Sequence, residues 1–121
     1  MALSGSVTTT SSYSRSVTLT WTATQSVANN QSTVSWVLKG SGSASGWVQV
    51  SEIKITINGS QAYYRDSSNH TQCYSGTQLC SGTTTITHNS DGTKSFTIKV
   101  EAGIYQWAIN CSGSQTFTLN T

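Results

Sequence analysis

Apolar and polar residues alternate with a period of two along most of this chain. In "SVTLTWTA", Val17, Leu19, Trp21 and Ala23 fall on one face, and Thr18, Thr20 and Thr22 fall on the other. "STVSWVLK" repeats the pattern with Val34, Trp36 and Leu38, and "EIKITING" with Ile53, Ile55 and Ile57 against Lys54 and Thr56. "KSFTIKVEA" sets Phe96, Ile98, Val100 and Ala102 against Thr97, Lys99 and Glu101. "YQWAINC" turns Tyr105, Trp107, Ile109 and Cys111 inward, and "TFTLNT" does so with Phe117 and Leu119. Each pattern predicts a half-buried antiparallel strand. No stretch carries the i, i+3, i+4 spacing of an amphipathic helix.

The separators read as turns. "SVANNQS" divides the first two core strands, and "NG" at 58–59 after an Ile-rich strand is a hairpin signal. "GSGSASG" (40–46) reads as a loop or a distorted strand. Residues 65–82 form the longest stretch without alternation, and so long a loop in a small domain calls for a function or its own structure. Residues 1–12 are Ser/Thr-rich and read as a loose edge segment. Short strands joined by turns predict one all-β domain over 1–121, an immunoglobulin-like antiparallel β-sandwich. Strand count alone does not separate that fold from a small β-barrel.

Composition sharpens this picture. The chain has 121 residues, the size of a single domain. It holds 22 Ser and 20 Thr, while only 8% of residues are charged. The surface is therefore polar but nearly uncharged, and β-branched Thr suits the solvent face of a pleated sheet. Proline is absent, so Gly, Asn, Asp and Ser must build the turns. A net charge of +2 with no Lys/Arg run excludes the footprint of a nucleic-acid binder. No apolar run is long enough to predict a membrane-spanning helix. "MALSGSV" lacks the charged and apolar regions of a signal peptide, which implies that the chain reaches its destination by another route or that a leader has been removed.

Cys73 and Cys80 lie in "CYSGTQLC", and Cys111 is distant. The spacing fits no zinc pattern, and neither a metal nor another cofactor is expected. Two readings stay open for the close pair: a local disulfide worth about 2.5 kcal/mol on the chain-entropy model, or free thiols. Cys111 reads as a small buried hydrophobe.

"HNSDG", between Ile86 and Phe96, gathers residue types found in active sites. Asn89, Ser90 and Asp91 suit a type I turn, and Gly92 suits the left-handed position that follows it in a hairpin with a G1 bulge. His88 falls on the inward face, where it can hold the loop by bonding to backbone. The stretch therefore reads as a structural corner made by His88, Asn89, Asp91 and Gly92. No catalytic residue is expected anywhere. The four carboxylates, Glu52, Asp66, Asp91 and Glu101, give no facing pair for glycoside hydrolysis, and no nucleophile elbow is present.

Four phrases, "QSVANNQSTVSWVL", "ITINGS", "GTTTITHNSDGTKSFTI" and "CSGSQTFTLNT", stand in that order. Together they resemble an immunoglobulin-like domain of the tail-associated minor structural proteins of siphophages and prophages of Gram-positive bacteria. The resemblance covers roughly residues 13–121 and departs most over 40–82. Related sequences continue past this point into further domains, which implies an excised domain or a stand-alone version. The resemblance implies a virion protein of tail, baseplate or fibre, assembled in the host cytoplasm beside other tail proteins. Such modules space the tail tip or attach it at the cell surface. One alternative is a carbohydrate-binding module that recognises Gram-positive wall polysaccharide, and another is a capsid-surface decoration domain.

A glycan site needs exposed rings beside hydrogen-bonding groups. Trp47, Tyr63, Tyr64 and Tyr74 are the aromatics off the core alternation. Asp66 and His70, with Gln49, Arg65, Asn69 and Gln72, are the polar groups near them in sequence. For each ring the competing reading is packing over a sheet edge. Trp21, Trp36 and Trp107 read as core.

Overall fold

The computed structural model describes residues 4–11, 15–42, 46, 48–66, 71–104 and 108–120. Its strands are β1 (Ser4–Thr8), β2 (Arg15–Ser26), β3 (Gln31–Gly42), β4 (Val48–Ile57), β5 (Ser60–Arg65), β6 (Thr71–Cys73), β7 (Gln78–Thr87), β8 (Thr93–Ile104) and β9 (Cys111–Asn120). The first sheet has the order β1-β2-β3-β7, and the second the order β5-β4-β8-β9. β5 and β6 share the outer edge of β4, where β5 pairs Ile53–Ile57 and β6 pairs Val48–Val50. Every pairing is antiparallel.

The fold is all-β, with two sheets enclosing one apolar core. That core holds the predicted inward residues: Val17, Leu19 and Trp21, then Val34, Trp36 and Leu38, then Ile53, Ile55 and Ile57, and Phe96, Ile98, Val100 and Ala102. Their outward neighbours are mostly Thr and Ser, which is why the alternation was readable. Asn58 and Gly59 both take positive φ, 54° and 79°, as a two-residue type I′ turn between β4 and β5 requires. The chain crosses between sheets after β3, after β6 and after β7.

One row across the first sheet organises the core. Gly5 pairs Trp21, Trp21 pairs Trp36, and Trp36 pairs Gly82. A Cβ on Gly5 would lie 2.8 Å from Trp21 Nε1, and one on Gly82 would lie 2.7 Å from Trp36 Cζ2. Each indole thus lies over the glycine of its flanking strand. From the second sheet, Phe96 and Phe117 meet Trp21 edge-on at centroid distances of 5.4 and 4.8 Å. Tyr63 meets Trp36 at 6.4 Å in the same manner.

Four expectations are corrected. β4 begins at Val48 rather than near Glu52, because a bulge between Val50 and Ile53 interrupts the alternation and buries Val50 and Ser51 together. Residues 65–82 are not one loop but hold β6 and the first half of β7, joined by a turn over 74–77. That turn docks on β3, where Gly40 N donates to Thr77 O (2.9 Å) and Gly76 N to Gly40 O (2.8 Å). The last strand starts at Cys111, so Ile109 is half-buried outside it, while Tyr105 and Trp107 lie outside the described residues. Finally, "HNSDG" does not close a hairpin, since β7 and β8 belong to different sheets.

Two substitutions test the indole row. Gly82→Ala forces the Trp36 ring to move and should cost about 1–3 kcal/mol, as overpacking does. Trp36→Ala should cost about 3–5 kcal/mol. Chemical denaturation of both variants checks this, and a near-neutral Gly82→Ala would mean that the ring does not rest on that glycine.

Candidate functional site

The corner between β7 and β8 is built from its own residues. Gly92 N donates to Asn89 O (2.9 Å) and Asn89 N to Thr93 O (2.8 Å), which is a type I turn followed by a left-handed residue. Gly92 fills that position with φ 89°. The Asp91 carboxylate accepts from Thr93 N (3.0 Å) and Thr93 Oγ1 (2.7 Å). These bonds, the hydroxyl's first, hold the Asp91 pKa below its ordinary value.

His88 is buried beneath this turn. Its Nδ1 lies 2.6 Å from Gly92 O, and since a carbonyl only accepts, Nδ1 carries the proton. In the neutral ring Nε2 then accepts from the Ser32 hydroxyl at 2.7 Å. His88 N donates to Asn30 O (2.8 Å), and Asn30 Nδ2 donates to His88 O (3.2 Å) and Asn89 O (2.8 Å). Asn30 takes positive φ, 51°, at the end of the β2–β3 turn, so the two turns clasp each other. Sequence reasoning found His88 but missed Asn30 and Ser32, whose roles need contacts distant along the chain.

The candidate glycan residues separate. Tyr63 is half-buried against Trp36 and belongs to the core, which removes it from a surface site. Its inward turn follows from the register shift between Ile55 and Thr56 in the β4–β5 pair. Tyr64 points the other way, is 46% exposed, and donates its hydroxyl to Glu52 Oε2 at 2.6 Å. That bond is the main reason its pKa is raised. Tyr64 pairs Lys54, Lys54 pairs Glu101, and Glu101 contacts Lys99 at 3.9 Å, so charge gathers on the outer face of the second sheet.

Tyr74 is 51% exposed at the turn after β6. β5 places Tyr64 opposite Lys54, and β6 places Cys73 opposite Val48. At about 3.3 Å per residue, Tyr64 and Tyr74 stand roughly 20 Å apart along one edge. They do not form one tight cleft. Asp66 is exposed just after β5, while Trp47 and His70 lie outside the described residues. Arg65 grips the β4 bulge, with Nη2 donating to Val50 O (3.0 Å) and Ser51 O (3.1 Å).

The outer face of the first sheet is different in kind. Rows such as Ser4–Thr22–Ser35–Thr83 and Thr24–Thr33–Thr85 cross it. An open trough of about 390 Å³ runs there over Trp21, Trp36 and Gly82, bordered by Thr20, Thr22, Ser35, Val37, Ser81 and Thr83. Its exposed lining is mostly apolar, from methyl groups and ring edges, and carries no charged side chain.

A family model of siphovirus proteins of unknown function (DUF859) matches residues 11–121. The chain belongs to that siphovirus family. No curated protein and no solved structure matches it. Cys73, Cys80 and Cys111 are all free, so the disulfide alternative is not realised. Cys73 lies on β6 of the second sheet with its Sγ against Gly40, whereas Cys80 lies on β7 of the first sheet opposite Leu38. Burial pushes the Cys80 thiol up to about 11 and raises those of Cys73 and Cys111, which makes all three poor nucleophiles at neutral pH. Among the described residues, no three His, Cys, Asp or Glu side chains gather as metal ligands.

Two predictions test the corner. Asp91→Asn keeps the acceptor and removes its charge. A depressed folded pKa stabilises the fold above the ordinary value of 3.8 and loses that effect as pH falls through the lowered one. The wild type should thus melt above the variant at neutral pH, and the two should converge in strong acid. Gly92→Val places a β-branched residue at positive φ and should lower the melting temperature; unchanged melting would exclude the turn.

Proposed function

We propose that this siphovirus protein is a non-catalytic, immunoglobulin-like virion module that spaces or attaches the tail tip at the host surface. The observation that carries the reading is where its chemistry-bearing side chains go. His88 and Asp91 hold the corner, Glu52 takes the Tyr64 hydroxyl, and Glu101 meets Lys99. These are the commitments of a rigid scaffold. Strand order supports the immunoglobulin-like part. With β1 set aside, β2-β3-β7 facing β4-β8-β9 repeats an arrangement in which strands one, two and five face strands three, six and seven. β5 and β6 then take the place of the extra strand beside the third.

One observation favours a second reading, a carbohydrate-binding module. Tyr64 offers an exposed ring beside the Glu52 carboxylate and Lys54, the combination that holds a sugar's apolar face and its hydroxyls. Antibodies against the purified domain should decorate the tail tip of intact particles in electron micrographs. Label on the capsid would favour a decoration domain, and unlabelled particles would defeat the virion reading. Saturable binding of the domain to Gram-positive cells or wall polysaccharide, lost in Tyr64→Ala, would establish the glycan reading. Binding that Tyr64→Ala retains would place the contact elsewhere.

A further inference from the structure

We propose that β7 is a docking edge for a second copy of this chain, paired antiparallel about a two-fold axis at Thr84. Exposed sheet edges invite unwanted pairing, and proteins guard them with short strands, bulges, charges or covering segments. Two edges here are guarded, and a third, β9, is covered at its start by the chain after β1. β1 has only five residues. After it the chain swings across to β9, where Thr10 N donates to Ser112 O at 3.0 Å and Gly113 packs on Thr8 O. The outer edge of β4 is covered by two short strands, interrupted by a register shift, and carries Arg65. Among the described residues, no such device guards β7 over 81–87. It ends the strand order of its sheet, it carries no charge and no proline, and its register shift lies at its far end, opposite Leu38 and Lys39.

Backbone direction sets the register. The bond from His88 N to Asn30 O aims His88 at β3. Alternation then turns the N–H and C=O groups of Ser81, Thr83, Thr85 and Thr87 to the free edge, and their side chains are exposed. Antiparallel pairing about Thr84 sets Thr83 opposite Thr85 of the second copy, and Ser81 opposite Thr87 of the second copy. All four residues present their backbones outward, giving about eight new ladder bonds. On the outer face hydroxyl meets hydroxyl, as it does within the chain at Thr97–Thr116 (2.8 Å), Thr8–Thr18 (2.9 Å) and Ser95–Thr118 (3.1 Å). On the inner face Ile86 comes opposite Gly82 of the second copy, large against small. No charge opposes another along the strand. This inference is independent of where in the virion the chain sits.

Analytical ultracentrifugation of the purified chain over a wide concentration range tests it. The expected result is a reversible dimer of the 12.9 kDa chain. Thr85→Pro deletes an edge-facing N–H and leaves the β3 ladder intact, so it should give a folded monomer; Thr85→Lys serves the same purpose should the proline variant fail to fold. In a Cys80→Ser background, Thr84→Cys places two thiols about 4.5 Å apart at Cα across the axis and should oxidise to a linked dimer. Thr83→Cys should not. A monomer at every concentration would overturn the proposal. So would a dimer that survives both Thr85 variants, or cross-linking of Thr83→Cys as fast as that of Thr84→Cys.

Discussion

Two indoles side by side are the constraint to which the rest of this sandwich adjusts. Trp21 and Trp36 stand opposite each other on the central strands of the first sheet. Two such rings cannot both stay over their own strands in the space between packed sheets, so each leans over a flanking glycine. Gly5 and Gly82 therefore set the registers of β1 and β7, since a slip of one residue would bring a side chain onto a ring. Phe96, Phe117 and Tyr63 fill the second sheet's side of the same layer. The arrangement has a cost. Both indole N–H groups are buried without an acceptor among the described residues, about 1–3 kcal/mol each. Burial of the large rings offsets it.

The polar residues show the same economy of purpose. A histidine, an aspartate and two asparagines cluster at one end of the sandwich, and each is bound into a crossing between sheets. His88 ties the turn to Ser32 on β3 and to Gly92 within the corner, while Asn30 ties the preceding hairpin to the same backbone. Arg65 does similar work at the β4 bulge. Such networks order loops without building a reactive centre, because their lone pairs and protons already have partners.

The two outer faces then differ. The second sheet carries Lys54, Lys99, Glu101 and the Tyr64–Glu52 pair, so its surface has features a ligand could read. The first sheet presents mostly hydroxyls and ends in an unguarded strand.

How much was legible depended on the range of the interaction. Alternation placed Val17 to Ala23, Val34 to Leu38 and Phe96 to Ala102 on the core side, because a strand's two-residue period is written in its own sequence. Asn58-Gly59 and Asn89 to Gly92 were legible as turns, since positive φ selects its residues locally. The local reading could not tell that the second turn joins two sheets, nor which of Tyr63 and Tyr64 faces the core. Both depend on bulges and on which strand lies alongside. The candidate site dispersed for the same reason: the register shift turned Tyr63 to the core and left Tyr64 outside, and a separate strand, β6, carried Tyr74 to the other end of β4. By itself, then, the sequence determined most of the core strands, their inward faces and the turns at 58–59 and 89–92, all properties of a few adjacent residues. Only the tertiary structure decided the strand partners, the Gly–Trp–Trp–Gly row, the Asn30–His88 clasp and the open edge at β7. Those arise from packing and backbone pairing between segments tens of residues apart, where no local preference reaches.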